Sequence, residues 1–167
     1  EITRESLYYK HIQNPLGESV IVYATDKKGF LVAARSLWLV ANDTGVAYQP
    51  CDTVTHKEHR GKGLFTHLTK LALSRLPMNS LVFNFPNNKS LPGYLKMGWS
   101  VHSNNSKRFS FALPINKKIN RCISELLPEN ISDSYLDYLV WRYPANKYKF
   151  LTVKGNILIS NGVNSGI

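Results

Sequence analysis

The sequence predicts a mixed α/β fold, with a mostly antiparallel central sheet and a helical C-terminal extension. Three strand-like segments follow one another with short polar turns between them. A segment with helical periodicity comes next and leads to a short apolar strand. Beyond Pro114 the pattern becomes helical. We therefore expect one α/β domain over residues 1–114 and an extension over residues 115–167.

Short turns separate the three predicted strands, which cover residues 19–25, 30–40 and 46–55. Asp-Lys-Lys-Gly at residues 26–29 and Asn-Asp-Thr-Gly at residues 42–45 supply the turn chemistry. Neither connection is long enough to hold a helix, so consecutive strands are expected to pair antiparallel.

Apolar residues at helical spacing follow the third strand and predict a helix that Pro77 ends. They are Leu64, Phe65, Leu68, Leu71, Ala72 and Leu76. Residues 81–85 are expected to form a buried strand parallel to the third one, because a strand-helix-strand crossover gives that arrangement. Ser90 as N-cap and Gly98 after the last turn bound a short helix over residues 91–97.

The chain beyond Gly98 is predicted to form a last hairpin and then two helices. The hairpin strands cover residues 99–102 and 108–113. The helical patterns cover residues 115–127 and 135–143.

One internal similarity links the two ends of the chain. Residues 7–11 and 139–143 share an aromatic-basic-aromatic order, and each precedes a strand and a Lys-Gly turn. Two alternatives stay open, coincidence and a partial repeat in which residues 135–160 begin a second copy of the fold.

The composition favours an anionic partner, because 21 lysines and arginines against 11 aspartates and glutamates give a net charge of +10. Nucleic acid, an anionic membrane and a phosphorylated small molecule would all satisfy that charge. The densest basic cluster, residues 57–62, contains glycine and histidine and precedes a helix, which suits a phosphate ligand better than a duplex. Nucleic acid therefore ranks behind a small phosphorylated ligand.

Neither a membrane span nor a metal site is predicted. No apolar run approaches the roughly 20 residues of a transmembrane helix, and the opening residues lack the apolar block of a signal peptide. We therefore expect a cytoplasmic protein with no membrane partner. Cys51 and Cys122 lie at no metal-ligand spacing, so neither a zinc site nor a disulfide framework is expected.

An anion-binding loop is predicted at Arg60-Gly61-Lys62-Gly63, where the third strand leads to the helix that begins near Leu64. The first N–H groups of a helix have no intrahelical partner and lie at the positive end of the helix dipole. Glycine lets a phosphate approach the backbone, and Arg60 and Lys62 add positive charge. The expected ligand is a diphosphate or a similar group.

Two common glycine-rich nucleotide motifs do not match this loop. In a Walker loop, His56 would occupy the position of the first glycine and Gly63 that of the serine or threonine. A dinucleotide-binding motif needs a third glycine where this chain has Thr66.

The loop resembles motif A of the GNAT superfamily of acyl-CoA-dependent N-acyltransferases, which reads Gln/Arg-x-x-Gly-x-Gly/Ala. Residues 58–63 read Glu-His-Arg-Gly-Lys-Gly, so Glu58 departs from the first position. A second match lies downstream and fits the family pattern Asn-x-x-Ala-x-x-x-Tyr-x-x-x-Gly-Phe. Its residues are Asn87, Ser90, Tyr94, Gly98 and Trp99. The resemblance covers about residues 19–113.

The resemblance implies that the third strand and the following parallel strand splay apart and receive the pantetheine arm of an acyl-CoA. Pantetheine would pair with the backbone near Val54 and Thr55, and Asn87 would line its arm. The pyrophosphate would bind the amides of Arg60, Gly61, Lys62, Gly63 and Leu64. Tyr94 would protonate the departing CoA thiolate.

The catalytic roles each have an alternative. A phenol is a weaker acid than a thiol and can protonate a nascent thiolate, but Tyr94 could instead be a packing residue. Asp52, in the third predicted strand, is the candidate general base, with a structural carboxylate as the alternative. His56 and Glu58 are further candidates for the base, whereas His67 is expected on the surface.

The resulting expectation is an N-acyltransferase that moves an acetyl or similar group from acyl-CoA to the primary amine of a small molecule. The alternatives are a non-catalytic acyl-CoA-binding module and a basic nucleic-acid-binding protein, and a homodimer stays open. Family members carry a strand and two helices before the first hairpin, where only eighteen residues precede Ser19. Three alternatives stay open: the chain is trimmed, the C-terminal helices replace the strand and the two helices, or acceptor binding has been lost.

Overall fold

The computed structural model describes residues 3–42, 45–101, 127, 131–153 and 156–160. The chain divides into two compact units, Glu1–Asn105 and Ser106–Ile167.

The described residues of the first unit form three helices, three strands and one turn of 3-10 helix. In chain order these are α1 (Arg4–His11), β1 (Val20–Thr25), β2 (Leu31–Asn42), β3 (Gly45–Thr55), the 3-10 turn (Lys57–His59), α2 (Leu64–Leu73) and α3 (Leu91–Lys96). The second unit contains α4 (Asp133–Arg142), β4 (Lys149–Val153) and β5 (Asn156–Ser160). A mixed α/β fold is thereby confirmed.

The predicted antiparallel meander is confirmed, with the sheet order β1-β2-β3. Asp26 closes the first turn, because its carboxylate accepts hydrogen bonds from the backbone N–H groups of Lys28 and Phe30, each at 2.9 Å. This side-chain cap explains why the turn between β1 and β2 forms where the polar residues stand.

The parallel neighbour of β3 is shorter than the sequence predicts. It is a single bridge between Tyr48 and Val82, made by two backbone hydrogen bonds of 2.9 and 3.1 Å. Leu81 and Phe85 are exposed, so the prediction that residues 81–85 form a buried strand is wrong. In the described residues, no further backbone hydrogen bond joins this segment to β3 beyond the two at Tyr48.

Helix α2 packs its apolar face on the sheet and forms the core with it. Leu68 and Ala72 lie four residues apart, on one face of the helix, and both are buried. They meet Val22, Ala33 and Leu37 from β1 and β2. Because α2 is fixed on the sheet, the loop that precedes it is held at the end of β3.

Val22→Ala tests this core. The variant should lower the free energy of unfolding by about 2 kcal/mol, because it removes two buried methyl groups and leaves a cavity. Val46→Ala on β3 is the matched control. Val46 is 50% exposed, so this substitution should lower the free energy of unfolding much less. Denaturant unfolding of both variants measures the difference, and equal losses would contradict the assigned core.

The described residues of the second unit contain a helix that is followed by a hairpin. Helix α4 confirms the helical pattern over residues 135–143, and β4 and β5 pair antiparallel. This order of a helix followed by a hairpin matches α1-β1-β2, but the partial repeat stays a prediction. The predicted hairpin strand 108–113 and almost all of the predicted helix 115–127 lie outside the described residues.

Among the helices of the described residues, none has the length and apolar character needed to cross a membrane.

Candidate functional site

The glycine-rich loop lies between the end of β3 and the start of α2, as the sequence predicts. Gly61 and Gly63 have φ angles of 74° and 76°, in the left-handed region that side chains with a Cβ rarely adopt. The Arg60 Nε donates a hydrogen bond of 3.2 Å to the carbonyl of Thr55. The loop is therefore tied back to β3 while it presents its backbone to solvent.

A cavity of about 320 Å³ opens at this loop. Its lining residues are Thr55, His59, Arg60, Gly61, Gly63, Leu64 and Phe65. Of the residues predicted to bind acyl-CoA, Val54, Lys62 and Asn87 do not line it. A Cβ added at Gly61 or Gly63 would meet no atom within 4 Å, so both glycines face open space.

The electrostatics of the loop suit an anion. The first turn of α2 holds no acidic side chain, and its first N–H groups lie at the positive end of the helix dipole. Arg60 and Lys62 flank Gly61, and both are exposed. A diphosphate in the cavity would therefore meet backbone donors and positive charge together.

The C-terminal part of β3, next to this loop, has one edge that pairs with no other strand of the described residues. Pairing with the parallel segment is confined to Tyr48 in the described residues, whereas β3 continues to Thr55. The register of β2 and β3 shifts between Ala34 and Ser36, as in a β-bulge, and Asp52 has a φ of 42°. A bulge bends the strand that carries it, so β3 is bent just before the loop.

Tyr94 lies on α3 and only 4% of its surface is exposed. Its ring packs edge-on against Phe65 at 5.4 Å and against Trp99 at 4.8 Å. Its hydroxyl oxygen accepts a hydrogen bond of 2.5 Å from Nη2 of Arg35. Since Phe65 also lines the cavity, the Tyr94 ring packs directly behind that wall.

Asp52 is held by two residues of α1. One of its carboxylate oxygens lies 2.7 Å from the Lys10 Nζ and 2.8 Å from the His11 Nε2. His11 is buried, and its Nδ1 lies 2.9 Å from the hydroxyl of Ser19. Burial by itself would raise the pKa of Asp52, but the hydrogen bonds and charges of Lys10 and His11 outweigh it and lower that pKa.

The neighbouring Cys51 belongs to a group of possible metal ligands. His11, Cys51 and Asp52 offer ligand atoms within 4.8 Å of one another. Burial raises the pKa of the Cys51 thiol to about 11, so the thiol stays protonated at neutral pH. The positive charge of Lys10 also lies next to the Asp52 carboxylate, which a metal ion would need as a ligand. The expectation of no metal stays a prediction.

Asn87 has a local structural role. Its side-chain oxygen accepts hydrogen bonds from the backbone N–H groups of Lys89 and Ser90, at 3.1 and 3.0 Å. The Ser90 side chain occupies the predicted N-cap position but makes no cap hydrogen bond to the helix. Asn87 thus shapes the turn into α3, and its predicted contact with pantetheine stays a prediction.

Asp52→Asn should lower stability in a pH-dependent way. A carboxylate with a lowered folded pKa stabilises the protein above its unfolded pKa, roughly 3.9, and loses that contribution as the pH falls through its folded value. We expect a loss of up to about 1 kcal/mol at pH 7, because the ion pair is partly exposed. Melting temperatures should converge with the wild type at low pH, and equal values at pH 7 would contradict the prediction.

Two site features escaped the sequence analysis. Helix α1 was not predicted, although Thr3 caps it by accepting a hydrogen bond from the backbone N–H of Ser6. Arg35 was included in an apolar strand without a role, although a charged residue inside such a run can mark a polar site. The exposed position predicted for His67 is confirmed.

No protein-family model and no curated protein sequence matches the chain. Three solved structures that resemble it are acetyltransferases by their descriptions. Glucosamine-6-phosphate N-acetyltransferase from Arabidopsis thaliana is 20% identical, with a TM-score of 0.46 over 55% of this chain and 66% of that chain. A GCN5-related N-acetyltransferase from Ralstonia eutropha JMP134 is 17% identical, with a TM-score of 0.43 over 50% of this chain and 61% of that chain.

The third structure, an acetyltransferase from Trypanosoma brucei, is 24% identical, with a TM-score of 0.39 over 56% of this chain and 70% of that chain. The chain thus spans less than two thirds of the length of the Arabidopsis and Ralstonia proteins. At these identities the likeness concerns the fold, and the functional argument rests on the site itself.

Proposed function

We propose that the protein is a GNAT-type N-acyltransferase, which moves an acetyl or similar acyl group from acyl-CoA to the primary amine of a small molecule. The observation that carries the proposal is the cavity at the glycine loop, with the free edge of β3 on one side and Phe65 and Tyr94 behind it. A diphosphate, an extended amide arm and a proton donor would each meet a matching group there.

The loop supplies the binding of the pyrophosphate in this proposal. Backbone N–H groups from Gly61 to Leu64 would donate to the phosphate oxygens, and Arg60 and Lys62 would compensate their charge. The end of β3 at Val54 and Thr55 would offer N–H and C=O groups on its free edge to the pantetheine amides, in the manner of an added strand.

Chemistry in this proposal is a direct attack of the amine nitrogen on the thioester carbonyl. Tyr94 donates its proton to the sulfur as the carbon–sulfur bond breaks. Asp52 stays the predicted base, but its two bonded donors and lowered pKa make it a weaker proton acceptor. Those contacts favour the structural alternative for Asp52.

The rate of the Asp52→Asn enzyme decides between these two roles. Loss of a general base lowers kcat by roughly 10²-fold or more, whereas loss of an anchoring carboxylate lowers stability with little change in rate.

A non-catalytic acyl-CoA-binding module is the second candidate. The contacts of Asp52 favour it. This carboxylate is the predicted base, and Lys10 and His11 already occupy one of its oxygens. Binding of CoA without release of thiol would select this candidate.

A titration with CoA followed by a thiol-release screen tests the proposal. Amino sugars, amino acids, peptides and polyamines serve as acceptors, with acetyl-CoA as the donor. Release of CoA thiol that depends on one acceptor class would support acyl transfer. Failure to bind CoA, together with steeply salt-dependent binding of DNA or RNA, would replace the proposal with a nucleic-acid function.

A further inference from the structure

Arg35 is a fully buried cation that pairs with no carboxylate of the described residues. It lies on β2 with none of its surface exposed. Among the described residues, the ion pairs join Asp52 to Lys10 and His11, and no carboxylate pairs with Arg35. Burial of an unpaired charge is costly, so a purely structural role would be better filled by an apolar residue of the same size.

The contacts of Arg35 fix its guanidinium against the site. Nη1 donates to the hydroxyl of Thr53 at 2.8 Å, and Nη2 donates to the hydroxyl of Tyr94 at 2.5 Å. The guanidinium carbon lies 4.9 Å from the centre of the Phe65 ring and 5.3 Å from that of Tyr94. Nε is buried and has no hydrogen-bond partner within the part of the chain that the structure describes.

This geometry dictates the direction of the Tyr94 proton. A guanidinium only donates hydrogen bonds, so the Tyr94 oxygen is the acceptor and its own proton points elsewhere. Among the residues that the structure describes, none accepts that proton. The Tyr94 oxygen is therefore held against the positive guanidinium of Arg35, and its proton is available for transfer.

We propose that Arg35 is the positioning residue for Tyr94, which orients the phenol and stabilises the negative oxygen left when its proton goes to sulfur. This inference rests on the proposed acyl transfer. Arg35 itself touches neither acyl-CoA nor the amine, since it is fully buried and acts through the Tyr94 hydroxyl.

The proton balance of the step is closed. The amine nitrogen bonds to the acyl carbon, the carbon–sulfur bond breaks, and the electron pair goes to sulfur, which takes the Tyr94 proton. Arg35 donates to the resulting phenolate oxygen through Nη2. The proton that the amine nitrogen loses returns to Tyr94 through water, so acyl-CoA and amine give amide and CoA thiol.

A double-mutant cycle on kcat tests the assignment. Arg35→Met should lower kcat by roughly 10- to 100-fold with little change in acyl-CoA affinity, the scale of one charge-assisted hydrogen bond. In the Tyr94→Phe background the same substitution should change kcat by less than about 2-fold, because the acceptor oxygen is gone. Equal losses in both backgrounds would assign Arg35 to packing and overturn the inference.

Arg35→Lys keeps the cycle informative if Arg35→Met does not fold. A lysine retains the positive charge but cannot donate through two nitrogens to Thr53 and Tyr94 together. Its kcat should lie between those of the wild type and Arg35→Met, and its loss should again vanish in the Tyr94→Phe background. A loss that persists there would overturn the inference.

A binding comparison separates this inference from the proposed function. At alkaline pH the wild type should bind CoA roughly 10-fold more tightly than desulfo-CoA, because the Arg35–Tyr94 pair stabilises a thiolate. Arg35→Lys or Arg35→Met should reduce that preference. If CoA binds but no amine is acylated, the proposed transfer fails and this comparison alone decides on Arg35. Equal affinities of the wild type for CoA and desulfo-CoA would overturn the assignment.

Discussion

Tyr94→Phe should lower kcat for acyl transfer by roughly 10²- to 10⁴-fold and leave acyl-CoA affinity almost unchanged. The substitution removes the hydroxyl and keeps the ring, which contacts Phe65 and Trp99. Only the proton donor is lost, so the chemical step slows while the binding groups stay in place. Steady-state kinetics with a reactive amine acceptor and a CoA titration measure the two quantities.

The loss of kcat must be distinguished from a loss of folded protein. In the variant, Nη2 of the buried Arg35 loses its acceptor, which should cost about 1–3 kcal/mol of stability. Kinetics should therefore be measured well below the melting temperature, with the folded fraction followed by circular dichroism. Tyr23→Phe removes the same atom from a residue that is 64% exposed, and it should leave kcat unchanged. A full chemical rate in Tyr94→Phe would make Tyr94 a packing residue and leave protonation of sulfur to solvent.

Local patterns were sufficient to predict the strands and the helix next to the glycine loop, but not helix α1. The second strand was predicted over residues 30–40 and is Leu31–Asn42, and the helix after the loop was predicted to begin near Leu64, where α2 begins. Turn residues, leucine spacing and glycine act over a few residues, so they can be read without knowledge of the tertiary contacts.

The polar network behind the site could not be predicted in the same way. The pairs Arg35–Tyr94 and His11–Asp52 are 59 and 41 residues apart in sequence. Arg35 shares one face of β2 with Ala33 and Leu37, which lie two residues away on either side. From residue 32 to residue 40 every position of β2 is buried or half-buried, so the alternation along the strand does not reveal that Arg35 meets Tyr94.

The failure at residues 81–85 has a related cause. A short apolar run predicts burial on average, yet Phe85 is 77% exposed because the segment pairs with β3 only near Tyr48. The resemblance to the GNAT superfamily implies that these two strands separate, and in the described residues their pairing is confined to Tyr48; a slot for pantetheine between them stays a prediction. An apolar run beside an open edge is therefore a candidate ligand surface as much as a core strand.

Gly61→Asp should weaken CoA binding by roughly 100-fold or more, because a carboxylate would stand against the pyrophosphate. A Cβ at this position meets no protein atom within 4 Å, so the new side chain would enter open space next to the cavity. Two like charges about 4 Å apart repel by about 4 kcal/mol near a protein surface. Isothermal titration with CoA measures the loss.

Gly61→Asn is the matched control for the backbone. Gly61 has a φ of 74°, and asparagine and aspartate tolerate the left-handed region better than other residues with a Cβ. Both variants therefore carry similar strain and similar volume, and they differ in charge. The asparagine variant should lose much less affinity, and the difference between the two variants reports the electrostatic contribution alone.

Acetyl-pantetheine, which lacks the pyrophosphate, completes the test. If residues 60–64 bind the pyrophosphate, Gly61→Asp should weaken CoA strongly and leave the KM for acetyl-pantetheine within about 2-fold of the wild type. Equal weakening of both ligands would place the defect in the pantetheine slot or in the fold. Unchanged CoA affinity in a folded Gly61→Asp protein would refute the assignment of this loop, and with it the proposed acyl-CoA site.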